Sequence, residues 1–249
     1  MELERCSTGV PDLDEIIGGG FPTGHVVLVA GGSGMGKTTL AFQFLCDGAR
    51  KGEAGAFVSI TEPTPMLKRT LATYDFYDPK FVDGGVLTLM DLRAIAQKLG
   101  SGDGMFGPAQ TKEVLDIIRR MVDELGIRRL VIDSITAICQ WIHDPAHIRD
   151  FVFRLGLELS ELGCTTILTS ETPPRVLQYS MFGVEEFISD GIIFLSEVER
   201  QRDLLRTAQV IKMRGTGHRR AKYFMELSEK GIVLTPILSD TDSSRARTT

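Results

Sequence analysis

The chain has 249 residues, 43% of them hydrophobic, enough apolar side chain for one sizeable core. Its net charge of −5 at pH 7 gives no overall attraction for nucleic acid or for an anionic membrane surface, so binding of either kind would have to be local. Cys6, Cys46, Cys139 and Cys164 stand singly, without CxxC pairs or histidines at ligand spacing, which argues against a disulfide framework and a zinc site and for buried reduced thiols.

In chain order, MELERCSTGV (1–10) is charged and lacks the apolar centre of a signal peptide. No later run approaches the roughly 18 apolar residues of a membrane span, so a cytoplasmic protein is expected. Short apolar runs rich in β-branched residues then recur: HVVLVAG (25–31), AGAFVSI (54–60), VLTLM (86–90), RRLVID (128–133), TTILTS (165–170) and GIIFLSEV (191–198). Their continuous hydrophobicity predicts strands covered on both faces. Between them, Val114, Leu115, Ile118, Met121, Val122 and Leu125 share one helical face, and Ile148, Phe151, Val152, Leu155, Leu159 and Leu162 repeat the pattern. This alternation predicts an α/β fold with a mainly parallel central sheet flanked by helices. LGSGDGMFGPAQ (99–110) reads as a flexible loop. After residue 198, RTAQVIKM (206–213), KYFMEL (222–227) and GIVLTP (231–236) read as antiparallel additions to the sheet. One domain over 1–238 is expected, followed by a flexible tail, 239–249.

GGSGMGKTT (31–39) lies between an apolar strand and the helical pattern TLAFQFLCDGA, and it satisfies G-x-x-x-x-G-K-[ST]. Glycines allow successive backbone N–H groups to converge on phosphate oxygens, and the positive end of the helix dipole adds to them. Gly32, Ser33, Gly34, Met35, Gly36, Lys37, Thr38 and Thr39 are therefore the candidate nucleotide cradle, with Lys37 reaching the β- and γ-phosphates and the Thr38 hydroxyl on Mg2+. RRLVIDS (128–134) is a strand ending in an acid. Asp133 suits a metal role through water, and the competing reading is an aspartate capping the next helix.

From 198 to 222, eight basic residues stand against two acids. A solvated basic edge is the default for Arg200, Arg202 and Arg206, whereas Lys212 and Arg214, two apart on a strand, share a face on which they can meet one phosphate.

STGVPDLDEIIGGGFPTG (7–24), FVSITE (57–62), VIDS (131–134), TTILTSE (165–171), GVEEFISDGIIFL (183–195) and VIKMRGTGH (210–218) occur in this order. Together they resemble a single KaiC domain of the RecA-type ATPase superfamily over roughly residues 7–236. The resemblance implies a RecA-like core, ATP and Mg2+ as ligands, and a homo-oligomeric ring, usually a hexamer, with nucleotide between neighbouring subunits. It also implies that Lys212 and Arg214 act in trans on the γ-phosphate, with His218 as a supporting contact, and that nucleotide state is coupled to assembly or to an unidentified regulatory protein.

The sequence departs from the family in two places. The strand after the phosphate-loop helix usually ends in two glutamates there, the first of which activates the attacking water, but this chain has Thr61-Glu62. Threonine orients a water without accepting its proton at neutral pH. Glu62 is then the candidate base or else a plain loop carboxylate at a helix start, and Glu171, which resembles a sensor residue, is the other acid available. At the place of the phosphorylated Ser-Thr pair of clock KaiC proteins stand Glu186 and Phe187, which disfavours autokinase activity. Two other readings stay open: a recombinase-like DNA-binding ATPase using the loop 172–183, disfavoured because that loop carries one arginine, and a nucleotide sensor that scarcely hydrolyses.

Overall fold

The structure, a computed structural model, describes residues 3–98, 106–173 and 178–237. Its elements are β1 (Arg5–Cys6), α1 (Pro11–Ile16), β2 (Phe21–Pro22), β3 (Val26–Gly31), α2 (Lys37–Arg50), β4 (Gly55–Ser59), α3 (Thr64–Leu71), α4 (Lys80–Asp83), β5 (Leu87–Asp91), α5 (Leu92–Lys98) and α6 (Pro108–Leu125). The order continues with β6 (Arg129–Asp133), α7 (Ile135–Gln140), α8 (Pro145–Leu162), β7 (Thr165–Glu171), α9 (Glu185–Ile188), β8 (Gly191–Arg200), β9 (Asp203–Met213), β10 (Lys222–Ser228) and β11 (Gly231–Pro236). Nine strands form one sheet in the order β11-β10-β9-β8-β3-β7-β6-β4-β5. Strands β3 to β8 run parallel and the last three are antiparallel additions, as the change of texture after residue 198 predicts.

The apolar runs are continuous because the sheet separates two cores and each strand feeds both. Val27 and Val29 of β3 point into the core shared with α1 and α2, while Val26, Leu28 and Ala30 point into the one shared with α6, α7 and α8. Phe57 against Ala56 and Val58 on β4, and Val131 against Leu130 and Ile132 on β6, repeat the division. One expectation is corrected: Pro108, Ala109 and Gln110, read as loop, form the first turn of α6. Proline is at home at the first helical position, and the Gln110 side chain accepts the Gly107 amide at 3.1 Å, which closes the turn. The rest of that stretch, 99–105, and the tail 239–249 lie outside the described residues.

A buried guanidinium holds α2 to the sheet. Arg129, at the start of β6 and 1% exposed, donates to the Phe44 carbonyl at 2.7 Å, the Ser7 carbonyl at 2.8 Å and the carboxylates of Glu53 at 2.5 Å and Asp47 at 3.2 Å. It also lies 4.9 Å from the Phe44 ring centroid, and Gly48 leaves the space its chain occupies. The outer edge of the sheet is closed by side chains: the Ile232 amide donates to Gln43 Oε1 of α2 and the Leu234 amide to Asp12 Oδ2 of α1, both at 2.8 Å.

Truncating Arg129 strands two acids and a buried carbonyl, so Arg129→Ala should cost about 3–5 kcal/mol in urea denaturation. Burial pushes the Asp47 carboxyl up, but hydrogen bonds from Lys51 and Ser7 and the charge of Arg129 outweigh it and hold the group below its ordinary value. A carboxyl depressed on folding stabilises fully above its unfolded pKa and loses that contribution as pH falls through the folded one. Asp47→Asn should therefore be less stable than the wild type at pH 7, with the difference shrinking as pH falls below the ordinary aspartate range in parallel denaturation curves.

Candidate functional site

The C-terminal ends of β3, β4, β6 and β7 open on one cavity of about 300 Å3. Its floor is the turn from β3 into α2. A Cβ on Gly31 would lie 2.4 Å from the Leu195 carbonyl oxygen of β8, so only glycine lets the chain leave β3 here. Gly36 caps α2 with φ 95°, in the left-handed region, and no side chain caps the helix. The first-turn amides of α2 are thus free of intrahelical acceptors and aim at the space above the turn, the arrangement that receives an anion. Lys37 is buried, and its ammonium donates to the Gly31 and Gly32 carbonyls at 2.8 Å each. Burial pushes its pKa down, against the pull of Glu171 and Asp133.

Asp133 ends β6, one strand away from β3, because β7 lies between them. Its Oδ2 accepts the Thr38 hydroxyl at 2.8 Å and its Oδ1 the Thr169 hydroxyl at 2.6 Å. The helix-cap reading of Asp133 does not hold, since Ser134 caps α7 by accepting the Ala137 amide at 3.2 Å. A hydroxyl and a carboxylate beside a row of free amides are hard oxygen donors with room for water and phosphate, which fits Mg2+. Among the described residues no group of three or more His, Cys, Asp or Glu side chains could hold a metal ion, so the remaining ligands would come from solvent and substrate.

Strand β4 ends at Ser59, whose hydroxyl accepts the Glu62 amide at 3.0 Å. This short turn places exposed Thr61 and Glu62 on the cavity wall just before Pro63, the N-cap of α3. Opposite them Glu171 ends β7 with its side chain exposed and its amide donating to Thr136 Oγ1 at 3.0 Å. The structure therefore brings Gly32–Thr39, Glu62, Asp133 and Glu171 to one place.

Lys212, Arg214 and His218 are not part of it. Lys212 pairs with Ile192, which pairs with Leu28, three residues before Gly31, so it lies roughly 10 Å back along the strands. Its ammonium donates to the Ser189 and Glu186 carbonyls at 2.6 and 3.4 Å, and Arg214 pairs with Asp190 at 3.0 Å. Burial and the neighbouring Arg214 push the Lys212 pKa down, with Asp190 and Glu186 opposing. His218 Nδ1 lies 3.4 Å from the Thr216 carbonyl oxygen, and its Nε2 is buried without a partner in the structure.

Two residues passed over in the sequence belong to the surroundings of the site. Arg206, read as solvated edge, is exposed but donates to the Gly34 carbonyl at 3.1 Å, because β9 runs antiparallel and its first half lies beside the phosphate turn. Glu185 is fully buried and accepts the Val184 amide at 3.1 Å and the Ser170 hydroxyl at 3.5 Å. Its signal in the sequence was the first of the two acids in GVEEF, next to Glu186.

Residues 6–239 match the family described as "ATPase: KaiC". The circadian clock protein KaiC3 of Synechocystis sp. (strain PCC 6803) is 31% identical over 94% of this chain, which spans 46% of that protein's length. The UPF0273 protein MK0039 of Methanopyrus kandleri is 33% identical, with 95% of this chain and 94% of that protein covered. Among solved structures, a KaiC-like protein, PH0186 from Pyrococcus horikoshii OT3, superposes with a TM-score of 0.82 at 36% identity, over 94% of this chain and all of the other. The fold is accordingly the RecA-like α/β architecture.

The cradle itself is open to test. Gly34 and Gly36 both have positive φ, so a Cβ strains the backbone at either; at Gly36 it would also sit 3.0 Å from the Leu227 methyls, whereas at Gly34 it meets nothing within 4 Å. Gly36→Ala should weaken nucleotide binding at least about tenfold and Gly34→Ala by only a few-fold, read by equilibrium titration.

Proposed function

This chain belongs to the KaiC family of ATPases, and on that premise we propose that residues 1–238 form one ATPase domain that binds Mg-ATP in the cavity above α2 and hydrolyses it slowly at the subunit interfaces of a homo-oligomeric, hexameric ring. The observation that carries this reading is the Thr38 hydroxyl donating to the Asp133 carboxylate at 2.8 Å at the start of α2, a helix N-terminus that no side chain caps.

In this reading the amides cradle the β-phosphate, and the Lys37 ammonium exchanges the Gly31 and Gly32 carbonyls for phosphate oxygens, a stronger, charge-assisted partner. Thr38 and Asp133 hold Mg2+, which neutralises charge on the transferring phosphoryl group. Glu62 takes the proton of the attacking water, and Glu171 faces it from the end of β7. Thr61 stands where the family places a base, so that turnover is slow.

Completion of the site in trans is supported by charge. The side chains lining the cavity include one cation, Lys37, against Glu62, Asp133 and Glu171, while ATP adds several negative charges more. Lys212 and Arg214, too far to serve their own cavity, supply the missing cations to a neighbour's γ-phosphate, with His218 in support. A γ-phosphate held by two subunits links nucleotide state to ring contacts and to a regulatory partner. Glu186 and Phe187 leave no hydroxyl for autophosphorylation at that turn, and the cytoplasm is the expected compartment.

Steady-state ATP turnover measured beside particle mass, with and without Mg-ATP, tests the reading. Lys37→Ala should abolish turnover, Glu62→Gln should lower it about 10²-fold or more, and Thr61→Glu should raise it. Lys37→Ala and Arg214→Ala chains, each inactive alone, should regain part of the activity when mixed, because some interfaces then pair an intact cradle with an intact arginine. No recovery on mixing would count against the trans role.

A further inference from the structure

We propose that Thr169 is a positioning residue for the metal site: its hydroxyl locks the Asp133 carboxylate in the rotation that turns Oδ2 toward Thr38, and thereby sets how strongly Mg2+ promotes nucleotide binding. The inference rests on the Mg-ATP reading above. Nothing in the phosphate-loop motif or in the strand-end aspartate points to this residue, which lies 36 positions beyond Asp133 on another strand.

The torsion that orients an aspartate carboxylate is soft and broad, so packing alone leaves it free to turn. In this structure both oxygens are engaged, Oδ1 by Thr169 at 2.6 Å and Oδ2 by Thr38 at 2.8 Å. The two hydroxyls differ in what they stand on. Thr38 is in the first turn of α2, and its oxygen is the one that would meet the cation. Thr169 is fully buried in β7, opposite Val29 of β3, and next to the Asp133 strand. Its oxygen also lies 3.5 Å from the Ile132 carbonyl oxygen, so its donor direction is confined to the end of β6. The hydroxyl of Thr169 therefore keeps one oxygen occupied and leaves the other for the metal side. A partner of this kind is usually worth 10- to 100-fold in metal affinity.

The test separates metal linkage from nucleotide affinity and from folding. ATP dissociation constants are measured by calorimetry in EDTA and in saturating Mg2+ for the wild type, Thr169→Val and Thr169→Ser, with circular dichroism as the check on folding. Valine keeps the shape and removes the donor; serine keeps the donor. The expected result is an EDTA-to-Mg2+ ratio about 10- to 100-fold smaller in Thr169→Val, with affinity in EDTA little changed, and a ratio near the wild-type value in Thr169→Ser. A Thr169→Val ratio within about twofold of wild type overturns the proposal, as does a Thr169→Ser ratio as low as that of valine. If Thr169→Val does not fold, Thr169→Ala, which also removes the donor, is read by the same criterion. A wild-type ratio near one would instead sink the Mg-ATP reading itself, whatever the variants do.

Discussion

The registration of α2 against β6 is the constraint on which the site depends, and it is fixed at two points. Arg129 at one end of β6 grips Phe44 and Asp47 of α2, and Asp133 at the other end meets Thr38. The spans agree: four strand residues and nine helical residues each cover about 13 Å. A guanidinium buried to 1% exposure is costly to desolvate, and this one is offset by two carbonyls and two carboxylates together. Were the helix to slide by one residue, both ends would lose their partners, so the phosphate turn and the metal-side carboxylate stay in step.

Strand direction then sorts the chemistry. Four of the parallel strands carry the candidate groups at their C-terminal ends: the cradle after β3, Thr61 and Glu62 after β4, Asp133 on β6 and Glu171 on β7. Strand β9 runs the other way. Its early residue Arg206 comes up beside Gly34, whereas Lys212 and Arg214 are carried to the opposite end and neutralised by the 186–190 turn. The acids Glu62, Asp133 and Glu171 thus gather around the cavity, while Lys212 and Arg214 face away from it.

Much of this was legible in the sequence because it is written in local pattern. Continuous apolar runs point to the two-sided strands, the glycine spacing to the cradle, and an acid after the apolar run LVI to Asp133. Features set by contacts distant in the chain were not legible. Arg129 stands in RRL as a surface arginine would, and its burial follows from Gly48, 81 positions earlier, having no side chain. Thr169 is one polar residue in a polar-sprinkled strand, and Glu185 is indistinguishable by type from Glu186, one buried and one not. The glycine-rich run ending in Pro108-Ala109-Gln110 reads as loop, although a proline opens a helix as readily as it breaks one.

The capping of β11 reaches further than the edge it covers. With the outward amides of Ile232 and Leu234 spent on Gln43 and Asp12, that border offers an incoming strand no matching donors, and a second chain cannot extend the sheet there. Copies that associate on this side must do so through side chains and loops, contacts that can be made and broken without unzipping backbone. Gln43 rides on the same helix as Lys37 and Thr38, so the amide that seals the border and the groups that would grip phosphate move as one rigid rod.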